Sequence, residues 1–261
     1  MPPDRSYQHV YLSPHPDDAV LSCGGTIYQQ TSHGEGVLVI TCCAGIPDYE
    51  NLSPFALEQH RRWGSPPDPV RVRRAEDSIA LRFLGADYLH LDFLDCIYRR
   101  HPTDGTFLYA SEDAILGEVH PGEENLSADI AGAVRPHIKP GLTSVYLPLG
   151  AGRHVDHQVV SRVARYVVTV SPRIVFYEDF PYVENPTGLE MALSAHTLPV
   201  RPLVRPLAEE DVAARIAAIR HYVSQIGMLF GSAEAMAQRV RAYCASVAGG
   251  QGYAERFWMG E

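Results

Sequence analysis

The chain has 261 residues, enough to bury the core of one large or two small domains, and its 46% hydrophobic and 20% charged residues are those of an ordinary globular protein. Its 22 basic and 31 acidic residues leave a formal charge of −9 with no basic block, which argues against nucleic acid or an anionic membrane as the main partner. The five cysteines (Cys23, Cys42, Cys43, Cys96, Cys244) are odd in number and lack C-x-x-C spacing, so neither a disulfide framework nor a cysteine zinc site is expected.

In chain order, "HVYLSP" reads as a buried strand and "AVLSCGGTIYQQTSHG" as a helix ending at Gly34. "GVLVITCCAG" is a second strand by its Val, Ile and Thr content, with Cys42 and Cys43 as buried packing. Asn51 to Pro69 is polar and rich in proline, and reads as a long loop. "RVRRAEDSIALRFLGA" sets Val72, Ala75, Ile79, Leu81 and Phe83 at mainly helical spacing, with Gly85 as the C-terminal cap. "DYLHLDFLD" alternates like a strand whose end presents Asp95.

Tyr98 to Asn125 shows no clear period and is a candidate lid or substrate wall. "LSADIAGAVRPHI" is a helix, "TSVYLPL" a strand, "HVDHQVVSRVARYVVTV" a helix opening at His154, and "RIVFYEDFPY" another strand, with "FYEDFPYVENP" expected to line a pocket or a subunit contact. "LAEEDVAARIAAIRHYVSQI" is an amphipathic helix with Val212, Ile216, Ile219, Val223 and Ile226 on one stripe. Strands alternating with helices predict one α/β domain over 1–261, its mostly parallel sheet covered on both faces. No apolar run reaches membrane-span length, and "MPPDRSYQHVYLSPH" has no apolar leader core. The expectation is a cytoplasmic protein with no membrane span.

In open parallel sheets, sites form beyond the carboxyl ends of the strands. Two such ends carry metal-ligand residues, "SPHPDD" and "GAGRHVDH", and a third offers Asp95. A catalytic zinc keeps three protein ligands, among them imidazole and carboxylate, plus an open position, and these clusters satisfy that count. His15 and Asp18 are three apart at a helix start and can lean toward one point, while Asp17 projects at another angle. Pro16 suits the first helical position because it has no N–H to leave unpaired. His154 and His157 are likewise three apart: one can bind metal while the other faces the reacting group, and Asp156 can orient an imidazole.

Alone, each cluster is more often a capping pattern than a ligand site; both at strand ends point to chemistry. The remaining histidines, His196 among them, lack a partner at ligand spacing and read as surface or satisfied residues; His120, in its irregular segment, is a further candidate to reach the site. There is no G-x-S-x-G elbow, no phosphate-binding G-x-x-x-x-G-K-[ST] and no G-x-G-x-x-G after the first strand; "CGG" reads as close helix packing.

"SPHPDDAVLSCGG" together with "HVDH" resembles the zinc-dependent N-acetylglucosaminyl deacetylases of the LmbE-like (PIG-L) family. "RRAEDSIALRFLGA", "LDFLD", "VYLPLGAGRHVDH" and "IRHYVSQIGMLF" extend the likeness through most of the chain. The resemblance implies a Rossmann-like three-layer α/β/α sandwich and one zinc ion per chain. It implies His15, Asp18 and His157 as zinc ligands, Asp17 as general base and His154, preferably protonated, as stabiliser of the tetrahedral intermediate. Asp95 and Arg73 match positions that contact the sugar or order the pocket. Many members carry Glu after the two aspartates, where this chain has Ala19, and "LDFLDC" lacks the usual turn glycine and proline. The implied substrate is a small N-acetylated amino sugar or glycoconjugate. The alternatives are an amidase for another acyl amide, such as a thiol conjugate, and a catalytically silent sugar-binding domain. A homo-oligomer is left open.

Overall fold

The computed structural model describes residues 6–171, 173–195 and 199–260. His196 therefore lies outside the described residues. Among the described residues seven strands form one sheet: β1 (His9–Ser13), β2 (Val37–Thr41), β3 (Asp87–His90), β4 (Ser144–Pro148), β5 (Ile174–Tyr177), β6 (Val200–Leu207) and β7 (Tyr253–Gly260). Their order is β3-β2-β1-β4-β5-β7-β6; β1 to β5 pair in parallel, and β7 pairs antiparallel with both β5 and β6. β2 and β5 are buried throughout, as continuous apolar strings covered on both faces must be. The antiparallel pair escapes the sequence reading because Pro202 and Pro206 make "VRPLVRPL" look unlike a strand; β6 tolerates them at the sheet edge.

The helices are α1 (Asp18–Ser32), α2 (Pro54–Arg62), α3 (Pro69–Phe83), α4 (Glu112–Ile115), α5 (Leu126–Val134), α6 (Val155–Arg162), α7 (Ala164–Val167), α8 (Pro186–Ala195), α9 (Glu209–Ile219), α10 (Val223–Phe230) and α11 (Ala233–Val247). With this strand order, the usual right-handed crossover puts α1 and α3 on one face and α5 and α6 on the other. "CGG" is indeed a packing device: a Cβ on Gly24 would stand 2.9 Å from Cγ of the fully buried Arg215 on α9.

Four expectations need correction. Asn51 to Pro69 is not all loop, because Ser53 accepts from the Ala56 N–H and starts α2 with Pro54 in its first turn. α3 buries Val70, Arg73, Asp77, Ala80 and Leu81, while Ile79 and Phe83 are about half exposed; its inner face is partly polar because it borders the site. β3 ends at His90, and Asp95 instead caps a 3₁₀ turn, Cys96–Tyr98. The long amphipathic stripe breaks after Ile219, where buried Tyr222 donates to Asp77 Oδ1 at 2.7 Å, and Val223 is left 75% exposed.

Candidate metal centre and active site

The chain moves from β1 to β2 and β3 on one side, then returns to place β4 on the other side of β1. This reversal is where doubly wound sheets open a crevice, and the loops after β1 and β4 meet there. Ser13 ties the first loop: its hydroxyl donates to the His15 carbonyl at 2.7 Å and accepts from the Ala19 N–H at 3.0 Å. Asp17, not Pro16, stands at the helix boundary. It is the N-cap residue with φ 129° and ψ −39°, so Pro16 precedes the cap and does not open the helix. That backbone conformation costs a non-glycine residue about 1–3 kcal/mol. It also separates two neighbouring carboxylates, as their partners show.

Asp18 Oδ2 lies 3.2 Å from His15 Nδ1 and 3.3 Å from His157 Nε2. A carboxylate backs each imidazole: Asp156 Oδ2 is 2.9 Å from His15 Nε2, and Asp179 Oδ1 is 2.6 Å from His157 Nδ1. Asp156 thus orients an imidazole of the opposite loop and also meets the Arg99 guanidinium at 2.5 Å. His157 Nε2 is buried without a hydrogen-bond partner. Two imidazole nitrogens and one carboxylate oxygen converge there, each ring fixed from behind, and this set can hold a divalent cation. Asp179 is the functional residue the sequence reading missed; its one signal was a carboxylate just beyond a strand, in "FYED". It also accepts from the Gly150 and Ala151 N–H groups at 2.8 and 2.9 Å, which ties β5 to the loop carrying His154. In that loop, a Cβ on Gly152 (φ 83°) would lie 2.7 Å from the Tyr182 ring.

Asp17 takes a different partner. Its Oδ2 is 3.5 Å from Arg73 Nη2, whose guanidinium stacks 4.7 Å over the Trp63 ring and stands 3.8 Å from Asp95 Oδ2. Burial pushes Asp17 up to about 8, with Arg73 opposing and Asp18 reinforcing. For His157, burial acts downward, but Asp18 and Asp179 outweigh it and lift the ring to about 10, a sign of how strongly the pocket favours positive charge. Burial, then His15, holds His154 well below the usual histidine range. Its Nδ1 accepts from the Asp156 N–H at 3.2 Å, which leaves the proton on Nε2. This arrangement disfavours a protonated His154 ring and leaves Nε2 as its donor.

The floor formed by His15, Asp17, Asp18, Asp95, Arg73 and His154 opens into a cleft of about 300 Å³. The Tyr98 to Asn125 segment walls it as expected, through Glu112, Ile115 and Leu116, and Asn51 to Pro69 adds Gln59, Arg62 and Trp63. Tyr182 after β5 and Gln225, Met228 and Leu229 of α10 close the remaining side. His120 is not brought to the cleft; its Nδ1 accepts from the Gly122 N–H at 3.0 Å.

Residues 10–168, which span both metal-ligand clusters, match the GlcNAc-PI de-N-acetylase (PIG-L) family. This chain belongs to the PIG-L family. Among PIG-L-type relatives, the 2'-N-acetylparomamine deacetylase of Streptomyces fradiae is 29% identical over 223 residues, covering 81% of this chain and 72% of that protein. A 1D-myo-inositol 2-acetamido-2-deoxy-alpha-D-glucopyranoside deacetylase of Saccharopolyspora erythraea is 26% identical over 246 residues, 82% of this chain and 76% of that protein. The crystal structure of a deacetylase–teicoplanin complex superposes with a TM-score of 0.80 at 28% identity, covering 96% of this chain and 97% of that one. The PIG-L match stops before Asp179, Tyr182 and α10, so the far wall of the cleft comes from outside the matched segment.

Proposed function

We propose that this protein is a zinc-dependent N-deacetylase that removes the acetyl group from an N-acetylglucosamine-containing small molecule or glycoconjugate, releasing acetate and the free amine. The observation that carries this reading is the division of labour at 15–18 and 154–157: three ligand atoms converge around Asp18 while a buried Asp17 stands apart from them. The relatives named above act on N-acetylated sugars, which supports the substrate class.

His15, Asp18 and His157 would hold a divalent cation, which when bound would polarise the acetyl carbonyl and lower the pKa of a water to about 7. Asp17 takes the proton of the attacking water as general base. The Arg73 charge beside Asp17 draws its carboxyl down, toward the ionised form the step needs. His154 donates from Nε2 to the oxyanion of the tetrahedral intermediate, a contribution of about 3–4 kcal/mol for donors of this kind. Asp17 then delivers its proton to the departing amine. Arg73, fixed by Trp63 below and Asp95 beside it, orients Asp17, and Asp95, which lines the cleft, accepts from a sugar hydroxyl.

Amine release from a panel of N-acetylated sugars and non-sugar acyl amides tests the proposal. N-acetylglucosaminides are the expected substrates. Turnover of acyl amides alone would place the enzyme with another amidase chemistry, and the absence of chelator-sensitive turnover on every substrate would leave a silent binding domain.

A further inference from the structure

The steps above leave one metal-ligating side chain at the site unused. Cys96 is fully buried, and its Sγ lies 3.9 Å from His154 Nε2. Cys96 Sγ, a ring nitrogen of His154 and a carboxylate oxygen of Asp156 all lie within 4.8 Å of one another. In a tetrahedral site with a metal–sulfur bond of about 2.3 Å and a metal–nitrogen bond of about 2.0 Å, sulfur and nitrogen stand about 3.5 Å apart. The observed spacing reaches that with a few tenths of an ångström of side-chain movement. The other cysteines are buried as well, but among the described residues Cys96 is the one grouped with a histidine and a carboxylate at ligand distance.

His154 is shared between two donor sets. The Asp156 N–H occupies its Nδ1, so Nε2 is the nitrogen that faces both Cys96 and the His15–His157 group. The first set, with imidazole and carboxylate donors, suits a borderline cation, whereas a thiolate adds a soft donor that favours thiophilic ions.

We propose that Cys96, His154 and Asp156 form a second metal site, filled by Cd2+, whose occupation inhibits the enzyme. As the metal–sulfur bond forms, the thiol proton passes to solvent and no electrons are exchanged. His154 Nε2 is bound in the same event and is lost as an oxyanion donor. The inhibitory half rests on the role given to His154 under Proposed function; the binding half rests on geometry alone.

The test loads wild type, Cys96→Ser and Cys96→Ala with one equivalent of Zn2+ and then titrates Cd2+. Ultraviolet absorption, metal stoichiometry and amine release are read together, each variant against its own activity at one equivalent. Wild type should take up a second ion with a thiolate-to-cadmium charge-transfer band and lose more than nine-tenths of its turnover. Both variants should lack the band and need at least tenfold more Cd2+ for the same inhibition. A band that persists without Cys96, or no cysteine-dependent band in wild type, overturns the site. A Cys96-dependent band with undiminished turnover overturns its inhibitory role. A Cys96-dependent band in a protein without deacetylase activity upholds the site and rejects only the reading of His154 on which inhibition rests.

Discussion

Asp17 and Asp18 are chemically identical neighbours, and the backbone gives them different work. The φ of 129° at Asp17 turns its carboxylate toward Arg73 and leaves Asp18 between two imidazoles. Because both Asp17→Gly and Asp17→Ala remove the carboxylate, comparing them isolates the strain. The glycine variant should be more stable by about 1–2 kcal/mol in denaturant unfolding, although neither should turn over substrate. Behind the ligands, Asp179→Asn keeps the volume but weakens the grip on His157 Nδ1. Metal affinity should fall about 10- to 100-fold in chelator competition, with little change in fold. His15, Asp17, Asp18, His154 and His157 were legible because two short clusters repeat a ligand spacing at strand ends. Asp179 was not, since a single carboxylate after an apolar strand looks like any surface residue until the fold turns it under β4.

At the scale of elements, the walls of the cleft are short helices with weak periodicity. α2 spans Pro54–Arg62 and carries few apolar residues, so its polar, proline-led sequence reads as a loop; its signal was the Ser53–Pro54 start. It matters because Trp63, just past its last turn, supports the Arg73 guanidinium. Trp63→Ala should lower kcat/KM about tenfold, in line with a cation–π contact of roughly 1–2 kcal/mol, while metal content measured on the same sample stays at wild-type level. The break between α9 and α10 was illegible for a different reason. The apolar period runs on past Ile219, but the Tyr222–Asp77 hydrogen bond redirects the chain so that Gln225 and Met228 face the site. Long-range pairing of this kind leaves no trace in local pattern.

For the whole molecule, the switch in strand order between β1 and β4 is what brings residues 15–18 and 154–157 together, and the alternation of strands and helices made that parallel core readable. The antiparallel addition of β6 and β7 was not, because its edge prolines hide a strand pattern. A cation bridging both loops ties β1 to β4 and should raise the stability of the folded state. Removing it with a chelator should cost about 2.7 kcal/mol when free metal had stood at about 100 times Kd, lowering Tm by at least about 5 °C in a thermal melt. His157→Ala, which lacks one ligand, should show almost no chelator shift.

The most direct test compares Asp17→Asn and His157→Ala with wild type, measuring bound metal and amine release on one preparation of each. The arrangement described here predicts one metal ion per chain in wild type and Asp17→Asn, with turnover in Asp17→Asn down by at least about 100-fold, and loss of the metal itself in His157→Ala. Full metal occupancy together with wild-type turnover in both variants would contradict it.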